Sequence, residues 1–381
     1  MKRLDLALLA QNVAQTAESD MAQGKAFGSA YWVMQDGEVV YNRCFGYTSA
    51  HGTAPVTEDT LFRMASMTKP ITAFAALILI DRGVLRLSDT VAAYLPEFAD
   101  VPVTEMGEDG TLTTIGAPQN APTILHLLTH TSGIGSDWRK IARMTPSDKR
   151  TVADTVAFHR RMGLDFDPGT AQQYSGSGAF DVLVRIIEQV TQKDFLTFLQ
   201  EEIFAPCGMK DTTFVPSAEQ WGRMIAMHRV TDGKNEDAPM HEGCVMSDYP
   251  CTHYLGGAGL ASTLRDYAAF ATMLLHRGQT PSGRLVSEEA FSLFCTPAVT
   301  EEIMPIHERW GLGVRVITKD YYADLPIGSF GWSGAYGTHF WVDPVHKIAA
   351  VYLRNSLVDG GSGSASARNF ERAVRRSFAD E

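Results

Sequence analysis

Ser66-Met67-Thr68-Lys69-Pro70 runs directly into Ile71-Thr72-Ala73-Phe74-Ala75-Ala76-Leu77-Ile78-Leu79-Ile80, and the apolar run closes at Arg82-Gly83. An apolar stretch of this length with a glycine stop reads as a buried helix. Ser66 and Lys69 then share its first turn, on one face and within hydrogen-bond reach. Ser66 also sits where helix N–H groups lack partners and the dipole favours negative charge. A serine hydroxyl is a weak nucleophile until a base takes its proton, and a lysine serves when its surroundings favour the neutral amine. Spacing alone does not decide the matter, because an N-cap serine beside a surface lysine gives the same pattern.

Outward from that helix, both ends of the chain read as sheet. Ser29-Ala30-Tyr31-Trp32-Val33-Met34 and Glu38-Val39-Val40-Tyr41 flank Asp36-Gly37, a strong hairpin signal because a type I′ turn needs positive φ at both central residues. Thr338-His339-Phe340-Trp341-Val342 and Ile348-Ala349-Ala350-Val351-Tyr352-Leu353 form a second hairpin about Asp343-Pro344. Apolar residues at positions 4, 6, 8, 9 and 13 predict an amphipathic first helix, and residues 367–378 a last one. These ends predict one mixed, mainly antiparallel α/β sheet domain from residues 1–85 and 255–381. The middle, residues 86–254, predicts a mostly helical insertion with helices near 123–131, 151–162, 177–190 and 194–204. Residues 107–121 and 231–252 read as irregular loops, and Ser262-Thr263 caps a helix that stops near Gly278.

Composition narrows the function classes. The chain has 381 residues, 45% of them hydrophobic and 20% charged, enough to bury a sizeable core and too apolar for disorder. Its net charge is 33 − 44 = −11 with no long basic run, which argues against nucleic acid or anionic lipid as partner. Cys44, Cys207, Cys244, Cys251 and Cys295 are odd in number and form no Cys-x-x-Cys pair, so reduced thiols in a cytoplasmic protein are expected. Met1-Lys2-Arg3 before an apolar stretch is interrupted by Asp5 and lacks a clean cleavage site, which argues against a secretion signal. No segment approaches the roughly 18 apolar residues of a membrane span.

Gly-x-Ser-x-Gly, His-Glu-x-x-His, Walker and dinucleotide motifs are absent. What is present, in order, is Leu61-Phe62-Arg63-Met64-Ala65-Ser66-Met67-Thr68-Lys69; Ile124-Leu125-His126-Leu127-Leu128-Thr129-His130-Thr131-Ser132-Gly133; and Asp167-Pro168-Gly169 ahead of Tyr174-Ser175. Gly256-Gly257-Ala258-Gly259-Leu260-Ala261-Ser262-Thr263 follows, then Gly331-Trp332-Ser333-Gly334-Ala335. This series, from about residue 28 to residue 355, resembles the serine β-lactamase and penicillin-binding protein superfamily. Within it the series is most similar to the class C β-lactamase-like branch that includes the family VIII carboxylesterases.

The resemblance implies a β-lactamase/DD-peptidase-like fold, Ser66 as nucleophile, and Lys69 with Tyr174 as a coupled base and acid pair. Which of the two is the microscopic base stays open. It implies an oxyanion hole from the backbone N–H groups of Ser66 and Ala335, substrate contacts at Trp332, Ser333 and Gly334, and no cofactor or metal. Two departures bear on the branch. Gly176 stands where β-lactamases and DD-peptidases carry an asparagine, and Trp332 where they carry Lys or His. A neutral indole offers apolar surface and one N–H but no charge for a carboxylate, which favours a small neutral ester as substrate. A β-lactamase or D-amino peptidase, an acyltransferase, and a non-catalytic ligand-binding or sensor protein remain as alternatives. His126 and His130, four apart on one predicted helix face, could ligate a metal, although structural hydrogen bonding is the plainer reading. Tyr47, Tyr254, Trp138 and Trp310 are candidates for an acyl pocket, with core packing as the commoner explanation.

Overall fold

The computed structural model describes residues 2–145, 151–239, 253–319 and 324–379. Seven strands form the main sheet and are labelled in chain order: β1 (Gly28–Gln35), β2 (Glu38–Gly46), β3 (Glu308–Trp310), β4 (Arg315–Ile317), β5 (Phe330–Ser333), β6 (His339–Asp343) and β7 (Ile348–Leu353). They lie in the order β3-β4-β5-β6-β7-β1-β2, so both ends of the chain meet where β7 pairs β1. Every pairing in this sheet is antiparallel. Asp36 and Gly37 have φ of 53° and 84°, the left-handed pair that a type I′ turn requires.

Alternation along the strands divides the core in two. Tyr31, Val33, Trp341, Ala350 and Tyr352 face the terminal helices α1 (Leu6–Ala22) and α5 (Ala365–Arg375). Ala30, Trp32, Phe330, Trp332 and Phe340 face a larger core shared with α2 (Thr68–Asp81), α3 (Gly178–Thr191) and α4 (Leu264–Leu275). In α1 the buried positions are Leu9, Val13, Ala17 and Asp20, while Leu6 is exposed and Leu4 precedes the helix in a bridge to Phe378. Twelve of the 14 residues of α2 are buried, which matches its unbroken apolar run.

Helices appear where N-cap signals and apolar periodicity coincide: Val152–Met162 after Thr151, α3 after Ser177, and α4 with the Thr263 hydroxyl accepting from Asp266 N–H. The helix from Phe195 passes through a wide turn at Gln200–Phe204 before ending. Two expectations fail. Residues 107–121 are not wholly irregular, since Val103–Met106 pairs with Leu112–Gly116. Met227–Thr231 likewise pairs with Lys234–Ala238 around Asp232-Gly233, a second turn with positive φ at both residues (51° and 75°). The remainder of the second predicted loop lies outside the described residues, as do Cys244 and Cys251. Cys44, Cys207 and Cys295 are free thiols, and burial raises the Cys207 pKa to about 12. Among the described residues no helix is long and apolar enough to cross a membrane.

Candidate active site

Ser66 does not lie in α2 itself but in the single 3-10 turn Ala65–Met67 that leads into it. The chain reaches that turn through Ala65 at φ 47°, a conformation that costs a non-glycine residue roughly 1–2 kcal/mol. Tertiary contacts on both sides hold it there. Met64 N–H donates to Leu260 O, the Thr338 hydroxyl to Met64 O at 2.9 Å, and the buried Tyr267 hydroxyl to Met67 O at 2.9 Å. Just upstream, the Asn355 side chain accepts from Arg63 N–H at 2.8 Å and donates to Arg63 O at 2.9 Å, acting as a short piece of strand.

Lys69 is fully buried, one turn along. Its Nζ donates to Gly176 O at 2.7 Å and Gly257 O at 2.8 Å, and reaches Ser66 Oγ at 3.4 Å. Two carbonyls thus take two of its protons, and the third position faces the serine. The loops bearing those carbonyls are themselves pinned: Gly256 O accepts from Thr72 Oγ1 at 2.7 Å and Gly256 N–H donates to the buried Asp181 carboxylate.

Tyr174 lies over the Lys69 head group, with Nζ 4.8 Å from the centre of its ring. Its phenol oxygen accepts from the Trp332 indole N–H at 3.3 Å. Trp310 packs against Trp332 (4.5 Å between ring centres) and stacks parallel to Tyr174. His130 lies against both Tyr174 and Trp310, at 4.6 and 4.3 Å. The helix that carries His126 ends at Leu128, and His130 itself sits at φ 58°, so the two histidines do not share a helix face. His126 completes a capping box with Thr123, its Nδ1 accepting from Thr123 N–H. His130 Nδ1 accepts from Ser175 N–H at 3.1 Å, which places the proton of the neutral ring on Nε2. Burial, and then the Lys69 charge, hold His130 well below the ordinary imidazole range, so it stays neutral. Of the candidate pocket aromatics, Trp310 reaches this cluster. Trp138 is exposed on a cleft that also includes Gln173, Tyr47 is exposed, and Tyr254 packs on Phe214.

β5 brings the third motif against the serine turn. Gly334 is required there by close approach: a Cβ would lie 2.1 Å from Thr338 Oγ1 and 2.3 Å from Met64 O. The next residue, Ala335, is exposed, and its N–H has no hydrogen-bond partner among the described residues. Gly334→Ala should therefore cost about 1–3 kcal/mol of overpacking. By displacing the Ala335 N–H it should also lower any acyl-transfer rate about 100-fold or more. Urea unfolding and initial-rate assays check both, and a variant with unchanged rates would show that this contact does not position the site.

Ser333 is placed differently from its neighbour. Its hydroxyl is buried and lies 2.7 Å from His339 Nδ1; His339 Nε2 lies 3.0 Å from Glu371 Oε1, which also accepts from Arg315 at 2.6 Å. The Ser333 side chain is thus committed to a buried network rather than to the substrate face. Burial alone would raise the Glu371 pKa, but Arg315 and His339 hold it at about 2, against an ordinary 4.5. The charged form is favoured by folding, so its contribution is complete above pH 4.5 and is lost as pH falls from 4.5 toward about 2. Glu371→Gln should be less stable than the wild type at pH 7 and should flatten the decline of the urea midpoint over that acid window. An equal decline in both proteins would contradict the assignment.

The family profile described as Beta-lactamase matches residues 13–373. The chain belongs to the Beta-lactamase family. This member is 30% identical over 366 residues to Protein Rv1367c of Mycobacterium tuberculosis, covering 90% of this chain and 89% of that one. It is 29% identical over 389 residues to Esterase EstB of Burkholderia gladioli, covering 94% of each. Among solved structures, EstCE1, a hydrolase with promiscuous acyltransferase activity, superposes with a TM-score of 0.81 at 23% identity, covering 97% of this chain and 99% of that one. The β-lactamase-like fold inferred from the ordered motifs is therefore the fold found, and the enzyme is a serine hydrolase of that family.

Sequence reasoning missed three supports of the site. Asn355, His130 as the acceptor for Ser175 N–H, and the Arg315–Glu371–His339–Ser333 network act, apart from the Ser333–His339 link, across tens to hundreds of residues. Only His130 gave a signal, by its place in the Thr129-His130-Thr131-Ser132-Gly133 stretch.

Proposed function

We propose that this family member is a carboxylesterase that cleaves small neutral esters through an acyl-enzyme on Ser66, without a cofactor. The observation that carries the reading is the position of Lys69 Nζ, tied to two backbone carbonyls and directed by its remaining position at Ser66 Oγ. With the amine neutral, both N–H bonds stay on the carbonyls and the lone pair faces the serine hydroxyl. Ser66 Oγ then adds to the ester carbonyl as its proton passes to the Lys69–Tyr174 pair, and the oxyanion lies against the backbone N–H groups of Ser66 and Ala335. Collapse expels the alcohol, which takes its proton from the Tyr174 phenol. Water attacks the acyl-enzyme by the reverse proton path and releases the acid.

Two features favour an ester over a β-lactam or a peptide terminus. Trp332 puts an uncharged donor on Tyr174 where a cation would attract a substrate carboxylate. Gly176 presents only backbone, and its carbonyl is already used by Lys69, so no side-chain amide is there to grip a substrate amide. The similarity to Esterase EstB supports the same choice. Acyl transfer to an alcohol in place of water is a variant of the same two steps, and the fold of EstCE1 favours testing it.

The test is p-nitrophenyl butyrate against a chromogenic cephalosporin on one preparation. The account expects kcat/KM for the ester to exceed that for the cephalosporin by about 100-fold or more, a difference of roughly 2.7 kcal/mol in transition-state binding. Comparable values, or a preference for the cephalosporin, would replace the esterase reading with the β-lactamase one. Product diverted from acid to a new ester by excess alcohol would identify a transferase.

A further inference from the structure

Trp332 and Ser333 are neighbours on β5 and so leave opposite faces of the sheet. Trp332 meets Tyr174 on the catalytic face; Ser333 points to the face covered by α5. The register places Ser333 opposite His339 on β6 and Gly331 opposite Arg315 on β4, so Arg315, Ser333 and His339 share that second face. Glu371 of α5 closes over them, and all four side chains are buried. A second carboxylate, Glu308 on β3, lies 3.2 Å from the other arm of Arg315.

An ion pair this deeply buried is a poor way to gain stability, because apolar residues of the same volume do as well or better. What it supplies is direction, since each bond in the chain has one sense. Arg315 donates to Glu371, a carboxylate that can only accept, so His339 must donate to it from Nε2. The neutral ring then has its lone pair on Nδ1, and the Ser333 hydroxyl must donate to it. Burial also keeps His339 below the ordinary imidazole range, which preserves that lone pair. From the other side β5 is stopped by Met64 O and Thr338 Oγ1 against Gly334. The strand is therefore gripped below at Ser333 and above at Gly334, between the residue that donates to Tyr174 and the residue whose N–H is unpaired.

We propose that His339 is a positioning residue for the acyl-transfer site, holding β5 through the Ser333 hydroxyl so that the Trp332 indole stays on Tyr174 and the Ala335 N–H stays beside the Ser66 turn. The proposal rests on the reading of Ser66 as nucleophile, and its test separates the two. Ser333→Ala removes the grip with the least disturbance, whereas Ser333→Thr keeps the hydroxyl. In Ser333→Ala, kcat for p-nitrophenyl butyrate should fall about 10–100-fold with KM within about twofold, because the loss appears only as charge develops on the oxyanion. Affinity for a boronic acid that forms a tetrahedral adduct should fall by the same factor, and Ser333→Thr should restore both.

The indole N–H resonance of Trp332 in nitrogen-15 tryptophan-labelled protein, assigned with Trp332→Phe, should move in Ser333→Ala and not in Ser333→Thr. This readout needs no turnover, so it reports on the grip even if the ester assay fails in the wild type. An unmoved indole resonance in Ser333→Ala overturns the proposal. So does a rate loss that appears in KM alone or that Ser333→Thr fails to repair.

Discussion

Ser66→Ala is expected to reduce p-nitrophenyl butyrate hydrolysis by about 10⁴-fold or more while leaving the fold intact, as loss of the nucleophile does in other serine hydrolases. The size follows from the arrangement: among the described residues Lys69 Nζ is hydrogen-bonded to no hydroxyl but that of Ser66, and backbone donors alone cannot form an acyl-enzyme. Stability should change little, because Ser66 is half-buried and, among the described residues, its hydroxyl is hydrogen-bonded only to Lys69, which retains both carbonyl partners. Thermal unfolding measured beside the rates separates loss of chemistry from loss of structure. A variant that keeps its turnover would place the nucleophile elsewhere.

Lys69→Met should be nearly as damaging, with a fall of about 10²–10⁴-fold, the range that a positioned base contributes. Methionine fills a similar volume but leaves Gly176 O and Gly257 O without donors, at roughly 1–3 kcal/mol for each buried orphan. Removing a buried polar head group gives back some desolvation cost, so the two effects oppose each other and the net change in stability should be small against the loss in rate. The informative comparison is with Tyr174→Phe, which keeps the ring beside Lys69 and Trp310 and removes only the oxygen that Trp332 holds. If Lys69 starts the attack and Tyr174 delivers the proton to the alcohol, Tyr174→Phe should be hurt less on p-nitrophenyl esters, whose leaving group needs little protonation, than on alkyl esters. Lys69→Met should be hurt alike on both. Equal losses for both variants on both ester types would mean that the pair acts as one unit.

The sequence was most informative where one local rule decides the outcome. Asp36-Gly37 between alternating strands admits one tight turn, and the apolar run after Lys69 is long enough that only a buried helix accommodates it. The same turn rule operates at Asp232-Gly233, but the flanking strands carry polar residues such as Lys234, Asn235 and Glu236 and offer no run of apolar alternation to mark them as strands. The Thr-rich hairpin at residues 103–116 was obscured for the same reason: with little apolar surface to bury, it has no hydrophobic alternation to show. The end of the helix at Leu128 depends on the left-handed turn at His130, which nothing local demands.

Ser66 Oγ lies 3.4 Å from Lys69 Nζ, Lys69 Nζ 4.8 Å from the Tyr174 ring centre, and the Tyr174 phenol 3.3 Å from the Trp332 indole nitrogen. Their geometry is set by groups that the sequence leaves mute. The Gly176 and Gly257 carbonyls are backbone and carry no residue-type signature. Asn355 clamps Arg63 across 292 residues, and Glu371 meets Arg315 across 56, distances at which no periodicity links partners. Ser333, expected at the substrate, instead has its hydroxyl 2.7 Å from His339 Nδ1, because strand alternation turns it to the face opposite Trp332.

The central claim is that Ser66 carries the acyl group. A fluorophosphonate reacts preferentially with an activated serine and leaves a stable adduct, so intact-mass and peptide-mapping measurements on wild type, Ser66→Ala and Lys69→Met test it without knowledge of the natural substrate. The account predicts one adduct per chain in the wild type, on the peptide containing Ser66, none in Ser66→Ala, and markedly slower labelling in Lys69→Met. An adduct on any other residue, or labelling that persists in Ser66→Ala, would contradict it.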